Sequence, residues 1–465
     1  MRFTCTIAVL CSLLTPVSSA YAARTTPPNI LLLFVDDLGY ADLGCQGSSE
    51  VQTPHIDSIA QEGVRCTSGY ATAPMCSPSR AGLVTGRYQQ RFGHELNLGP
   101  VYTVKVGLPV SETMLPARLK PFGYVSGVIG KWDLGSRPPY RPLARGFDEF
   151  FGFLGGSRSH HPKTQSADYN VLRRNDERLR EENGYSSDIY SDEAVAFIER
   201  HSEQPFFLYV SFTAPHWPME AKPDDLERFA HVEDLHRRTF LSMMSALDDG
   251  IGRILDALRR FELEERTLVL FISDNGGPTG RPRKTPNSEF QYGQNTSKNT
   301  PLRGTKGQLY EGGIRVPFLA RWTGHLPAGE VCDVPVSTLD IATTALSIAG
   351  GDEKALDGLD GVNLVPILRD GEAKSRSLFW RVGGARAIRR NNWKLLLLPS
   401  QKPQLFDLQK DLAESRNLFD GEPERAEQMH NQLANWQREL RPPLWNPSKG
   451  KAGKPRAQQK AETPK

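Results

Sequence analysis

The sequence predicts an α/β fold: a large mixed, mainly parallel sheet sandwiched by helices, followed by a smaller C-terminal α+β subdomain of antiparallel strands and one helix. Three observations carry this. Several continuous apolar runs end abruptly in charged residues, as strands buried on both faces do. Segments with helical spacing lie between those runs, which favours parallel strands joined by crossover helices. From about Arg376 short strand-like pieces follow one another with no helix between them.

The first run is NILLLFV, Asn29 to Val35, and it stops at Asp36-Asp37. VSGVIG (Val125 to Gly130) ends at Lys131, PFFLYVSF (Pro205 to Phe212) at Ala-Pro-His216, and TLVLFIS (Thr267 to Ser273) at Asp274-Asn275. Helical segments between them include SDEAVAFIERH from Ser191. Met244, Leu247, Ile251, Leu255 and Leu258 share one helical face. The later pieces SLFWRV, ARAIRR, WKLLLLP and QLFDLQ form the small sheet, and a helix from Pro423 to about Leu440 closes it. In such sheets ligands bind beyond the carboxyl ends of the strands, where the charged residues converge here.

The chain ends divide off. Arg2, the apolar Ile7 to Leu14 and Ala20-Tyr21-Ala22 have the layout of a secretory signal, so residues 1–22 read as a signal peptide and the protein as exported, periplasmic or secreted. The apolar run is too short to span a bilayer and Pro16 interrupts it, so no stable membrane insertion is expected. Residues 23–370 are then expected to form the large α/β domain, 371–445 the antiparallel subdomain and 446–465 a basic disordered tail. The last seventeen residues carry six basic groups and one acid, so the net charge of +3 leaves about −2 for the remainder. No broad basic surface is indicated, and nucleic acid is not an expected partner.

Cys5 and Cys11 leave with the signal; Cys45, Cys66, Cys76 and Cys332 remain, with no CxxC pair. Cys45 and Cys66 can pair or stay free. Asp36, Asp37, Asp274 and Asn275 offer only oxygen ligands, which suits a hard cation such as Ca²⁺ or Mg²⁺; either pair alone is also good capping chemistry. Cys76 lies in TAPMCSPSRAGLVTGRY, with Pro78 suited to a helix start and Arg80 one turn on. Free backbone N–H groups and a fixed cation there favour an anion and would activate a thiol; a buried structural thiol is the plain alternative.

C-S-P-S-R followed by A-G-L-V-T-G-R resembles the signature of type I sulfatases of the alkaline phosphatase superfamily. The resemblance runs on through NILLLFVDDLGYADLGCQG, GKWDLG, RGFDEFFGFLGG, APHWP, SDNGG and LRGTKGQLYEGGIRVP, in the family's order. The motif style is most similar to bacterial exported polysaccharide sulfatases and to the N-acetylgalactosamine-6-sulfatase and arylsulfatase A branch. The resemblance implies a sulfuric ester hydrolase that releases sulfate from a sulfated carbohydrate or an aryl sulfate. It implies that a formylglycine-generating enzyme oxidises Cys76 to Cα-formylglycine (3-oxoalanine), whose hydrated aldehyde attacks sulfur and then expels sulfate. Ca²⁺, in preference to Mg²⁺, would be held by Asp36, Asp37, residue 76, Asp274 and Asn275. Arg80 would hold the diol, Lys131 and Lys306 would clamp sulfate oxygens, and His216 would bind sulfate and protonate the leaving oxygen.

One position departs from the family. Asp133, in Gly-Lys-Trp-Asp-Leu-Gly, stands where the family has the histidine that deprotonates the second hydroxyl. An ionised Asp about 4 Å from a sulfate charge would be repelled by roughly 4 kcal/mol at an effective dielectric of 20. Asp133 must therefore pair with Lys131, hold a proton or turn away, and His94 in RFGHE is a candidate stand-in. Arg137, Arg158, His160 and His161 fall where the family lines its pocket mouth, which makes Arg158 and His160 expected substrate contacts. The polar stretch from Gly276 to Thr300 reads as a specificity loop or a flexible connection. Two other functions fit the same residues: a phosphonate or phosphodiester hydrolase on the same core, and a sulfated-glycan-binding protein without turnover.

Overall fold

The computed structural model describes residues 26–162, 167–279 and 294–445. The expected signal peptide, the basic tail and most of the Gly276–Thr300 stretch lie outside the described residues.

A ten-stranded sheet organises the chain. Its strands, in spatial order, are Glu330–Cys332, Val64–Cys66, Phe318–Arg321, Thr267–Ser273, Asn29–Val35, Phe206–Ser211, Val125–Lys131, Glu149–Phe153, Arg173–Arg174 and Glu177–Arg178. The five from Thr267–Ser273 to Glu149–Phe153 are mutually parallel, and the Phe318–Arg321 strand runs against its neighbours. The sheet is therefore mixed and mainly parallel, as expected.

The continuous apolar runs follow from double-sided burial. In the Asn29–Val35 strand, Ile30, Leu32 and Phe34 enter one hydrophobic core while Leu31, Leu33 and Val35 enter the other. Each fully buried side chain of this size contributes roughly 1.5–3 kcal/mol relative to exposure. The Leu235–Arg260 helix covers the second face through Met244, Leu247, Ile251, Leu255 and Leu258, with Asp234 capping its start by accepting from the His236 and Arg237 amides. The helix expected from Ser191 starts earlier, at Ser186, and ends at Arg200. Its first turn is polar, so apolar spacing alone does not reveal it.

The C-terminal sheet is a four-stranded antiparallel meander: Ser377–Val382, Ala385–Arg390, Trp393–Leu397 and Gln404–Asp407. Alternate residues serve opposite faces. Leu378, Trp380, Leu396 and Phe406 pack on Tyr70, Leu309 and Ile314 of the large domain, whereas Ile388, Leu395 and Leu405 pack under the Pro423–Arg438 helix.

A buried ionic cluster fastens the two parts. Lys394 Nζ donates to Glu311 Oε1 at 2.9 Å and forms an ion pair with Glu414 Oε1 at 2.9 Å, and Tyr70 Oη donates to Glu311 Oε2 at 2.5 Å. Burial alone would raise the Glu311 carboxyl, yet Lys394, Arg315 and Arg389 bring it down to about 2. Lys394→Met would leave two buried carboxylates without their shared cation. It is expected to destabilise the fold by about 3–5 kcal/mol, read as a lower denaturant midpoint. Glu311 lies on the chain just after Lys306, so the same variant is expected to loosen that lysine's loop.

Candidate active site

Four adjacent strands deliver their last residues to one place. Thr267–Ser273, Asn29–Val35, Phe206–Ser211 and Val125–Lys131 are sheet neighbours, and Asp274-Asn275, Asp36-Asp37, His216 and Lys131 lie at or beyond their carboxyl ends. Asp37 has a left-handed backbone (φ 68°). Its amide donates to Asp274 Oδ1 at 3.2 Å, and its carbonyl accepts from Asn295 Nδ2 at 3.0 Å and Ser297 Oγ at 3.1 Å. Those bonds hold a conformation that a non-glycine residue otherwise avoids.

Cys76 is the first residue of the wholly buried Cys76–Thr85 helix. Its Sγ donates to Asp36 Oδ1 at 3.4 Å, and Lys306 Nζ donates to the sulfur at 3.1 Å. One turn on, Arg80 is completely buried; Nη2 reaches Asp274 Oδ2 at 3.0 Å and Asp36 Oδ2 at 3.6 Å, while Nη1 donates to Ser211 Oγ at 2.5 Å. Lys131 Nζ lies 2.6 Å from Asp36 Oδ2, and Lys306 Nζ 2.7 Å from Asp37 Oδ1.

Charge sets the protonation of these groups. Burial alone would raise the Asp36 carboxyl, but His216, Lys131, Arg80 and Lys306 hold it well below the usual carboxylate range. Burial and the Asp36 charge push Asp274 up to about 7 despite Arg80. Burial would lower Lys306, yet Asp37, Cys76 and Asp36 raise it well above the usual lysine value. Burial and Asp36 push the Cys76 thiol up, so the unmodified thiol is poorly ionised and a weak nucleophile.

The cluster has the composition of a cation site. One ligand atom from each of Asp36, Asp37, Cys76 and Asp274 lies within 4.8 Å of the others. Asn275 Nδ2 donates to Asp37 Oδ1 at 2.7 Å, which leaves Asn275 Oδ1 buried without a protein partner. Three carboxylates and an orphaned amide oxygen fit a hard divalent ion better than they fit lysines alone.

Asp133 lies at the edge of this group with a left-handed backbone (φ 54°), its Oδ2 3.8 Å from Lys131 Nζ. Burial raises its carboxyl in spite of Lys131. Of the three outcomes expected for it, the structure combines a loose pairing with an elevated affinity for a proton. His94 does not stand in. Its Nε2 lies 2.7 Å from Ser77 Oγ, and that hydroxyl donates to the Asp133 carbonyl at 2.7 Å, so the imidazole buttresses the backbone from behind. Burial takes its pKa down to about 3.

A cavity of about 320 Å³ opens onto Cys76, Lys131, Asp133 and His216, with Asn97, Tyr169, Asn170 and Trp217 among its walls. Arg158 and His160, expected as substrate contacts, are not among the residues that line it. Arg158 is committed to Glu182 at 2.5 Å. His160 Nε2 lies 3.0 Å from the His216 carbonyl and its amide donates to Glu220, so it supports the His216 loop. Trp217 and Asn97 were not legible as wall residues. Only the neighbouring His216 hinted at the tryptophan, and nothing marked Asn97, whose Oδ1 accepts from the Ser77 amide at 3.1 Å.

An acid cluster, a buried cysteine at a helix start and three flanking cationic groups at the carboxyl end of a parallel sheet define an anion-ester hydrolase centre. Residues 28–351 match the sulfatase family, and residues 305–441 match the C-terminal region of N-sulphoglucosamine sulphohydrolase. N-acetylgalactosamine-6-sulfatase of Homo sapiens is 36% identical over 377 residues, 77% of this chain and 69% of that protein. Arylsulfatase J of Mus musculus is 32% identical over 408 residues, 81% of this chain and 65% of that protein. A crystal structure of Ps i-CgsB in complex with k-i-k-neocarrahexaose superposes with a TM-score of 0.82 at 33% identity, covering 91% of this chain and 96% of that one. The chain belongs to the sulfatase family and is a sulfuric ester hydrolase.

Proposed function

We propose that this hydrolase releases sulfate from a sulfated carbohydrate with formylglycine at position 76 and Ca²⁺ held by Asp36, Asp37, Asp274 and Asn275. The observation that carries the reading is the placement of Cys76, between Asp36 at 3.4 Å and Lys306 at 3.1 Å in the wall of the cavity. Formylglycine, when formed, supplies a hydroxyl nucleophile, and the cation supplies charge that acidifies that hydroxyl and offsets the sulfate.

The remaining chemistry belongs to the chain's own side chains. Arg80, tied to Asp274 and Asp36, fixes the floor beneath residue 76. Lys131 and Lys306, the cations nearest Asp36 and Asp37, bind the sulfate oxygens. His216 Nδ1 meets the Trp217 carbonyl at 2.5 Å; a carbonyl only accepts, so Nδ1 carries the hydrogen. Nε2 therefore donates only as imidazolium; burial lowers the His216 pKa below the ordinary imidazole value, although Asp36 and Asp37, the latter 3.6 Å away, favour the charged form. In that form His216 protonates the leaving sugar oxygen. Asp133 takes the proton whose loss expels sulfate.

Export and maturation complete the reading. The supporting features are Arg2, the apolar Ile7–Leu14 run, Ala20-Tyr21-Ala22 and the CSPSR motif. Amino-terminal sequencing of protein from its own host is expected to begin near Ala23.

Parallel assays of sulfated oligosaccharides, aryl sulfates and aryl phosphonates test the substrate class. Sulfate release from a sulfated sugar is expected to dominate. Phosphonate turnover alone would favour the other hydrolase, and glycan affinity without release would favour a binding protein. Chelation is expected to cut sulfate release by at least about 10²-fold, with recovery on adding Ca²⁺. Undiminished turnover in chelator would remove the cation from the scheme.

A further inference from the structure

All four cysteines in the described residues are free thiols, but two of them are not isolated. Cys66 and Cys332 are register partners in the parallel pair Val64–Cys66 and Glu330–Cys332, at the edge of the large sheet. The Thr67 amide donates to the Cys332 carbonyl at 2.9 Å and locks that register. Facing residues on neighbouring strands project to the same side, and both thiols enter the same hydrophobic core. Each thiol shifts the other's titration, Cys66 upward and Cys332 downward. Neighbouring strands lie about 4.7–4.9 Å apart, inside the Cα separation of about 4.4–6.8 Å that a disulfide spans.

We propose that Cys66 and Cys332 form a structural disulfide when the folded chain meets a disulfide oxidant. The pairing differs from the Cys45–Cys66 link that sequence left open. Cys45 sits beside Asp57, whose carboxylate accepts from its amide at 2.8 Å, and burial with Asp57 holds its thiol far from ionisation.

The chemistry starts at Cys332, because Cys66 is 0% exposed and Cys332 is 8% exposed. Interaction with Cys66 also lowers the Cys332 thiol, while that interaction and burial raise Cys66. The Cys332 thiolate attacks one sulfur of the oxidant's disulfide and expels the other as thiolate, giving a mixed disulfide. The Cys66 thiolate then attacks the Cys332 sulfur and expels the second thiolate. The two protons lost by Cys66 and Cys332 are taken up by the two expelled thiolates, and two electrons reduce the oxidant's S–S bond to two thiols.

The link would enclose Cys76, Lys131, His216, Asp274 and Lys306 in one covalent loop. It would fasten the edge strand Glu330–Cys332 to the short Val64–Cys66 strand that leads toward Cys76. Closing a loop of this length restricts the unfolded chain strongly. It also occupies the thiol nearest in sequence to Cys76, leaving Cys76 without Cys66 as a competing partner.

The test uses the full folded chain and glutathione disulfide, followed by alkylation and non-reducing tryptic mapping. The peptide starting at Cys66 is expected to be joined to the Trp322–Lys354 peptide and released by reductant. A Cys76→Ala background assigns the bond, because Cys66 and Cys76 share one tryptic peptide. The oxidised protein is expected to melt about 3–6 °C above the reduced one. Cys332→Ala is expected to remove both the link and the shift. Should that variant not fold, the peptide map of the otherwise native chain decides. Alkylation of Cys66 and Cys332 in the oxidised folded protein, or a link from Cys66 to Cys45, would overturn the proposal. None of these outcomes depends on sulfatase turnover.

Discussion

Cys76→Ala is expected to abolish sulfate release, a loss of at least about 10³-fold, while the protein stays folded. The side chain is small and buried at 2% exposure, and the surrounding helix is held by Arg80 and by Leu83 and Val84 in the core. Its removal is expected to cost roughly 1 kcal/mol of stability, so the melt should move little. Cys76→Ser is expected to be nearly as inactive with respect to turnover, since a serine hydroxyl has no second hydroxyl with which to expel sulfate. Release of inorganic sulfate, measured beside a thermal melt, checks both. Near-normal turnover in either variant would mean that residue 76 is not the nucleophile.

The second large effect is expected at Asp133. A base acts in its ionised form, so Asp133→Asn should lower kcat by about 10²-fold, with a smaller change in KM. The pH dependence supplies the sign. Burial raises the Asp133 carboxyl, so the fraction of working base falls as pH drops through a value above the ordinary carboxylate pKa. The wild-type kcat should therefore show an acidic limb displaced upward, and Asp133→Asn should lose that limb. Asp133→His should retain turnover within about 10-fold and move the limb toward neutral pH. An unchanged pH profile in Asp133→Asn would assign the proton transfer to another group.

The parts of the site legible in the sequence were those set by neighbours along the chain. A strand buried on both faces is apolar throughout, so its end is marked, and Asp36, Lys131, His216 and Asp274 all stand at or beyond such ends. The Cys76 helix start was equally local. Strand order, and with it which ends adjoin, depends on crossovers that periodicity does not encode. The partners of Arg158 and His160 were hidden for a related reason: each bonds to a group distant in sequence, Glu182 for one, Glu220 and the His216 carbonyl for the other. The pairing of Cys66 with Cys332 rests on a strand register joining residues far apart in the chain. The C-terminal meander was legible because each strand pairs with the next, but its grip on Glu311 through Lys394 was not.

The most direct test of the central claim is the mass of the peptide Cys66–Arg80 after reduction, alkylation and trypsin. The protein should come from its own host or from cells supplying a formylglycine-generating enzyme. An aldehyde at position 76 is expected. An intact, alkylatable thiol there, with a control sulfatase converted in the same cells, would contradict formylglycine catalysis in this chain.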